Sequence, residues 1–287
     1  MGRIDPLDRV RAALARPAGA SSDFDLNPGA AAPPRPLRAA AVLVALSPGP
    51  RGVEVWLTKR ASGLRHHPGQ IAFPGGKVEE GETVEDAALR EAREEIGLPS
   101  SLVAPMGVLP VHETVTGFAI TPVVAHLTGA FEPLPQPGEV EEVFTVPLAH
   151  VADPARYRIE RRIWRGQWRN YYTVPWGPYY IWGATARILR GLADRMAACA
   201  MLQGGGQRAL FVGGCVRNAL MRRPVADVDI ATDALPDRVT ELAVAAGLRA
   251  VPTGIAHGTV TVIAEGQPFE VTTFRRDVKT DGRHATV

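Results

Sequence analysis

Eight side chains between Glu79 and Gly97 are acidic (Glu79, Glu80, Glu82, Glu85, Asp86, Glu91, Glu94, Glu95) and only Arg90 and Arg93 oppose them, a net charge of −6. A chain can fold around such a segment only by solvating it or by neutralising it with a cation. Thr83 to Ile96 reads as a helix. Thr83 supplies an N-cap, Asp86 sits at the positive end, and Gly97 closes the last turn. Val84, Ala87, Ala88 and Leu89 give this helix an apolar side. Glu91, Glu94 and Glu95 then fall at i, i+3 and i+4, so three carboxylates share one face. A solvated helix face is the plain reading of such a run. Three like charges this close instead favour a cation that prefers hard oxygen ligands, Mg²⁺ or Mn²⁺. Gly75 and Gly76 just ahead carry no Cβ, so backbone carbonyls there can approach a metal.

The rest of the 287-residue chain sets the context. Hydrophobic residues make up 46% and charged residues 22%, with a net charge of +2, which is an ordinary globular composition for one or two domains. The longest apolar run, Ala39 to Leu46, is far short of the roughly 20 residues of a membrane span. The N-terminus has no basic stretch followed by an apolar one, so no secretory signal is expected. Only Cys199 and Cys215 occur, which excludes a disulfide framework and fits a reducing cytoplasm. Pro6 to Arg16 suggests a short amphipathic helix, with Val10, Ala13 and Leu14 on one side. The Ala-, Pro- and Gly-rich stretch from Pro17 to Pro36 reads as a linker or surface wrap. Strands are expected at Arg38–Leu46, Val53–Lys59, Gln70–Phe73, Leu102–Leu109, Phe118–Leu127 and Val140–Val146. Aromatic-rich strands follow between Ile163 and Val174, and a last helix over Ile181–Arg195. Strands and helices intermix, which indicates α+β.

The run Gly76, five residues, Glu82, seven residues, Arg90-Glu91-Ala92-Arg93-Glu94-Glu95-Ile96-Gly97-Leu98 resembles the Nudix box. The resemblance implies hydrolysis of a diphosphate linked to another moiety. It implies that Glu91, Glu94 and Glu95, with the Gly76 carbonyl, hold divalent metal. It implies that Glu94, Glu95 and Arg90 are catalytic, with Arg90 orienting the carboxylates and Glu82 pairing with it. One of these glutamates, or one on a later loop, would activate water. Glu139, Glu141 and Glu142 offer that later carboxylate, or simply line a solvated loop. Upstream, Leu57-Thr58-Lys59-Arg60-Ala61-Ser62 and Leu64-Arg65-His66-His67-Pro68-Gly69-Gln70-Ile71-Ala72-Phe73-Pro74-Gly75-Gly76 are similar to the signature of coenzyme A pyrophosphatases. The likeness extends through Pro137-Gly138-Glu139-Val140 to Ile181-Trp182-Gly183-Ala184-Thr185-Ala186-Arg187. It implies substrate contacts from Arg60, Arg65, His67, Gly69 and Gly75, and cleavage of coenzyme A to 4′-phosphopantetheine and 3′,5′-ADP. Lys59, Arg60, Arg65 and His66 put positive charge where non-reacting phosphates would sit. Six of the 18 aromatic residues crowd between Tyr171 and Trp182. They either stack an adenine, line a pantetheine channel, or pack in the core or a homodimer contact.

From Ala209 a second pattern begins: strand, Gly213-Gly214, then a helix carrying Arg217. Amides after such a turn bind phosphate. Asp227 and Asp229 alternate along a strand and so point to one side. With Glu270 they suit a two-metal phosphoryl-transfer site. Together these residues resemble the head domain of the CCA-adding tRNA nucleotidyltransferase and poly(A) polymerase family. The family continues into neck and body regions beyond the residues present here. The expectation is therefore weak metal, nucleotide or RNA binding by this tail, with no CCA addition and no tRNA partner.

The expected architecture is a Nudix α/β/α sandwich with a mixed sheet over residues 37–198, followed by a partial α/β nucleotidyltransferase-like head over 208–287. Residues 1–36 form an N-terminal helix and linker, and 199–207 a second linker. The expected cofactor is Mg²⁺ or Mn²⁺ and the expected partner a small molecule of the coenzyme A class, with no membrane. NADH, dinucleoside polyphosphates and nucleotide sugars are alternative substrates. A tRNA nucleotidyltransferase fragment and a non-catalytic nucleotide sensor are alternative functions.

Overall fold

The computed structural model describes residues 5–15, 19–27, 29, 36–164, 166–204, 207, 209–212, 229–264, 267–274, 279–280 and 285–286. In chain order the elements are α1 (Pro6–Leu14), β1 (Ser21–Ser22), β2 (Arg38–Gly49), β3 (Gly52–Arg60), β4 (Ile71–Ala72), β5 (Gly75–Lys77) and α2 (Val84–Ile96). Then come β6 (Val103–Val108), β7 (His112–Glu113), β8 (Phe118–Leu127), β9 (Val140–Pro147), the short α3 (Leu148–Val151), β10 (Arg158–Trp164), β11 (Gln167–Thr173) and α4 (Gly183–Gly204). Contacts divide the chain into two units. Gly19–Asp194 with Met1–Leu14 form the first, and Arg195–Val287 with Ala15–Ala18 the second.

The first unit is built on a mixed nine-stranded sheet in the order β1-β7-β8-β2-β3-β4, with β5 beside β2, β6 beside β8 and β9 beside β3. At its centre β2 and β8 run parallel, Arg38 opposite Phe118 through Leu46 opposite His126. Ala41, Leu43 and Ala45 of β2 point to one side and meet Val123, Ala125 and Leu127 of β8. Helix α2 covers them with Ala87, Ala88, Ala92 and Ile96. Alanines on both partners keep the helix close to the sheet, and each large apolar side chain buried there, such as Ile96, contributes about 2–3 kcal/mol. The helix ends are fixed locally. The Thr83 hydroxyl accepts the Asp86 N–H at 3.1 Å. Gly97 adopts the left-handed φ of 70° that only glycine takes without strain, and its N–H reaches the Arg93 carbonyl at 3.1 Å.

Two expectations are corrected. Of the two readings of residues 17–36, a linker or a surface wrap, the linker is corrected: the stretch includes β1, which pairs in parallel with β7. The imidazole of His112 has no solvent exposure and bonds Ser21 Oγ at 3.0 Å through Nδ1 and Asp23 Oδ1 at 3.2 Å through Nε2. Asp23 Oδ2 accepts the Val115 N–H at 2.9 Å, and Asn27 exchanges bonds with the Asn170 backbone at 2.9 and 2.8 Å. Hydroxyl, imidazole and carboxylate here hold a chain segment against the sheet. The second correction is that α4 continues to Gly204, so residues 199–204, expected as linker, are helical. The aromatic-rich strands form a separate two-stranded ribbon, β10 with β11.

The second unit adds β12 (Ala209–Val212), β13 (Asp229–Thr232), α5 (Pro236–Ala245), β14 (Arg249–Gly254), β15 (Thr259–Ala264) and β16 (Gln267–Thr273). Its five-stranded sheet runs β12-β13-β16-β15-β14. Its core joins Met201, Ile230 and Ala234 with Val239 and Ala243 of α5 and Val260, Val262 and Val271 of the sheet. No helix among the described residues is long and apolar enough to cross a membrane.

Candidate active site

Strand β5 pairs with β2 at Ala40–Val42, which sets Gly75 and Gly76 against the middle of the sheet, directly under α2. Both glycines are required by close approach. A Cβ at Gly75 would overlap the Ala41 carbonyl oxygen and Val42 Cα, and one at Gly76 would overlap the Glu91 carboxylate. The Nudix-type carboxylates line the border of the buried stripe of α2. Glu95 is buried, only 7% exposed, and Oε2 accepts the Gly75 N–H at 3.1 Å. Burial pushes its carboxyl up to about 7; the Gly75 bond opposes this, Glu91 and Glu139 add to it, and Arg60 opposes it. Glu91 is mostly covered and Glu94 is exposed.

Arg90 organises this face. Its Nε and Nη2 bond Glu82 at 2.9 and 3.1 Å, Nη2 bonds the Lys77 carbonyl at 3.1 Å, and Nη1 reaches Glu91 at 2.9 Å and Glu94 at 3.3 Å. The Glu82 contact, then Glu91, raises the guanidinium pKa further above its ordinary value. Among the described residues no three acidic, histidine or cysteine side chains are gathered into a preformed metal cage. The donor set nevertheless fits a hard divalent ion. Mg²⁺ takes one or two carboxylates and fills its other positions with water and phosphate oxygens. A buried carboxylate whose charge is penalised by desolvation gains most from a cation.

The β3–β4 connection forms the approach. Arg60 ends β3; its Nε is buried and has no hydrogen-bond partner among the described residues, and its charge acts on both Glu95 and His67. His67 has a left-handed φ of 54°, and desolvation, then Arg60, lowers its pKa. Gly69 donates its N–H to the Arg60 carbonyl at 3.0 Å, and Arg65 and His66 are exposed. Lys59 is not a free phosphate-binding charge, because it pairs with Glu141 at 2.5 Å. Of the three candidates for a later carboxylate, Glu141 is committed to Lys59 and Ser62, and Glu142 accepts the Tyr179 hydroxyl. Glu139 remains, exposed and close enough to raise the Glu95 pKa. The aromatic segment is partly structural: Tyr179 stacks on Phe144 of β9 with ring centres 3.6 Å apart.

In the second unit Asp229 lies directly opposite Glu270 on the parallel pair β13–β16, so both carboxylates share a face. Asp227, Gly213, Gly214 and Arg217 lie outside the described residues. Sequence reading missed the tie from Glu141 to Lys59 and Ser62, and the proximity of Asp23 to His67, which Asp23 affects electrostatically. A carboxylate just after Pro137-Gly138 was the one available signal for the first; no sequence signal marked the second.

Residues 36–165 match the NUDIX domain family, and residues 209–286 match the poly(A) polymerase head domain. A Nudix hydrolase called NudL from Enterobacter sp. (strain 638), itself uncharacterised, is 42% identical over 164 residues, which are 54% of this chain and 81% of that protein. The NudL of Escherichia coli O7:K1 is 41% identical over 157 residues, again 54% of this chain and 81% of that protein. Among solved structures, RenU, a Nudix hydrolase from M. smegmatis, is similar at 29% identity over 42% of this chain and 76% of that one, with a TM-score of 0.36. The Bacillus stearothermophilus CCA-adding enzyme in complex with CTP is similar at 43% identity over 31% of this chain and 21% of that one, with a TM-score of 0.26. With a NUDIX domain match over residues 36–165 and 42% identity across 81% of a Nudix hydrolase, the chain belongs to the Nudix hydrolase family.

Proposed function

We propose that the first unit hydrolyses the diphosphate of coenzyme A or its derivatives. The observation that carries this reading is Arg60, whose buried Nε has no hydrogen-bond partner among the described residues and whose charge acts on Glu95 of the carboxylate helix. It stands within the ordered Leu57–Gly76 string that resembles coenzyme A pyrophosphatases. Glu91, Glu94, Glu95 and the Gly76 carbonyl would hold Mg²⁺ or Mn²⁺, which supplies charge neutralisation of the diphosphate and acidifies bound water. Arg90 keeps Glu91 and Glu94 oriented, and the Gly75 N–H orients Glu95. Arg60 binds a diphosphate oxygen. Arg65 and His67, with Gly69 shaping the loop, meet the remaining phosphate, the 3′-phosphate that separates coenzyme A from its dephospho form. Glu139 accepts the proton of the attacking water.

The test is product analysis of coenzyme A incubated with the protein and Mg²⁺ or Mn²⁺, beside dephospho-coenzyme A and NADH. The expected result is 4′-phosphopantetheine with 3′,5′-ADP, favoured over the other two substrates and abolished by a chelator. Cleavage of NADH or dephospho-coenzyme A alone would retain the bond and overturn the substrate.

The C-terminal unit, where Asp229 and Glu270 share a sheet face, is expected to add neither CTP nor ATP to tRNA, and tRNA-dependent incorporation of either nucleotide by the full chain would overturn that expectation. The hydrolase does not draw on this unit: residues 1–204 alone are expected to keep the diphosphatase rate within about twofold, as an independently folding domain does. A folded 1–204 protein without activity would tie the tail to the first site.

A further inference from the structure

Pairing between β3 and β9 shifts register at one point. Lys59 faces Glu142 and Arg60 faces Val140, which leaves Glu141 as the extra, bulged residue. A bulge bends its strand and re-aims the side chains around it. The extra residue here is fully engaged. One carboxylate oxygen receives Lys59 Nζ at 2.5 Å, and the other receives the Ser62 N–H at 3.2 Å and the Ser62 hydroxyl. These contacts, Lys59 first, hold the Glu141 carboxyl down to about 2.

Lys59 and Ser62 flank Arg60. The Arg60 N–H goes to the Gln70 carbonyl at 3.0 Å, its own carbonyl accepts the Gly69 N–H at 3.0 Å, and the Ala61 N–H goes to the Glu139 carbonyl at 2.9 Å. The backbone at Arg60 is therefore held by three hydrogen bonds, while its side-chain Nε is buried with no hydrogen-bonding partner among the described residues. The Lys59–Glu141 pair is about one-third exposed on both sides, so it contributes little to stability. What it fixes is a direction.

We infer that Glu141 is a positioning residue, whose clamp across Lys59 and Ser62 aims the Arg60 guanidinium at the anionic group of the substrate. This rests on the diphosphatase reading of the site. The test is steady-state hydrolysis of coenzyme A by the full chain with Mg²⁺, comparing Glu141→Ala, Arg60→Ala and the double variant with the unaltered protein. Glu141→Ala is expected to raise KM on the order of tenfold, as loss of the support behind a binding group does, with kcat changed less than about twofold. In the Arg60→Ala background it is expected to add nothing, because both substitutions remove one interaction. Ser62→Ala should shift KM in the same direction by less, and Glu141→Gln, which keeps an acceptor for Ser62, should fall between. These two carry the test if Glu141→Ala does not fold. An unchanged KM, effects that add in full in the double variant, or a fall in kcat at constant KM would each overturn the assignment. If the unaltered protein cleaves no diphosphate, the functional reading fails instead. Binding of a methylene-bridged diphosphate analogue by the same variants then decides whether the clamp acts through Arg60.

Discussion

Glu95→Gln is expected to lower turnover by about a thousandfold, the scale on which removing one electrostatic stabiliser of a reacting phosphoryl or acyl group acts. It should do so without unfolding the chain. The amide oxygen of glutamine can accept the Gly75 N–H that Glu95 accepts at 3.1 Å, and the side chain is nearly isosteric. Burial opposes charge at this position, as the raised carboxyl pKa of about 7 records, so a neutral side chain suits the apo protein at least as well as the native one. What disappears is the negative charge that a divalent ion would meet. The loss should therefore come with a weaker dependence on Mg²⁺ concentration, while circular dichroism and thermal unfolding stay near those of the unaltered protein. Glu94→Gln differs in setting, because Glu94 is exposed and bonds Arg90 only at 3.3 Å. Its loss should likewise fall on turnover and not on folding. If both variants keep near-normal rates with unchanged metal dependence, the carboxylates of α2 are not the catalytic centre.

The same helix shows why some of this molecule is legible in its sequence. Thr83, Asp86 and Gly97 act over three or four residues, so the ends of α2 follow from local chemistry, and the structure has them where the residue types indicate. Strand β8 is legible at both ends, Phe118 to Leu127, because a long apolar run bounded by turn residues has few alternatives. The spacing of Glu91, Glu94 and Glu95 is likewise a helical property. The features that were not legible depend on partners far along the chain. Ser21 and His112 are 91 positions apart, and neither residue type announces the other. Lys59 looks like a phosphate ligand until Glu141, 82 positions on, takes its charge, and that contact depends on a one-residue register shift that no propensity encodes. The extension of α4 through residues 199–204 has a related cause. Met201 belongs to the core of the second unit, so tertiary packing carries a helix through a stretch whose glycines read as a break.

Gly75 and Gly76 are adjacent in one strand, yet their alanine variants should fail in different ways. At Gly75 a Cβ would meet the Ala41 carbonyl and Val42 Cα, backbone atoms of the central strand β2 that cannot turn aside. Gly75→Ala must push β5 away from β2 or distort the pairing of Val42 with Gly75. Overpacking of this kind costs about 3 kcal/mol, which for a unit of this size lowers the melting temperature by roughly 10 °C. At Gly76 the atoms in the way belong to the Glu91 carboxylate, the far end of a flexible side chain. Gly76→Ala is therefore expected to fold with a melting temperature within a few degrees of the unaltered protein, about 1 kcal/mol at most. Glu91, however, must swing off β5, and its bond to Arg90 Nη1 at 2.9 Å goes with it. Turnover should fall by about a hundredfold, because a reacting group supported by a displaced ligand loses its alignment. Thermal unfolding and kinetics of the two variants, measured side by side, separate a glycine needed for the sheet from one needed for the carboxylate. Equal losses of stability would show that Glu91 is not free to move. A Gly76→Ala protein with full activity would remove Glu91 from the set that serves the reaction.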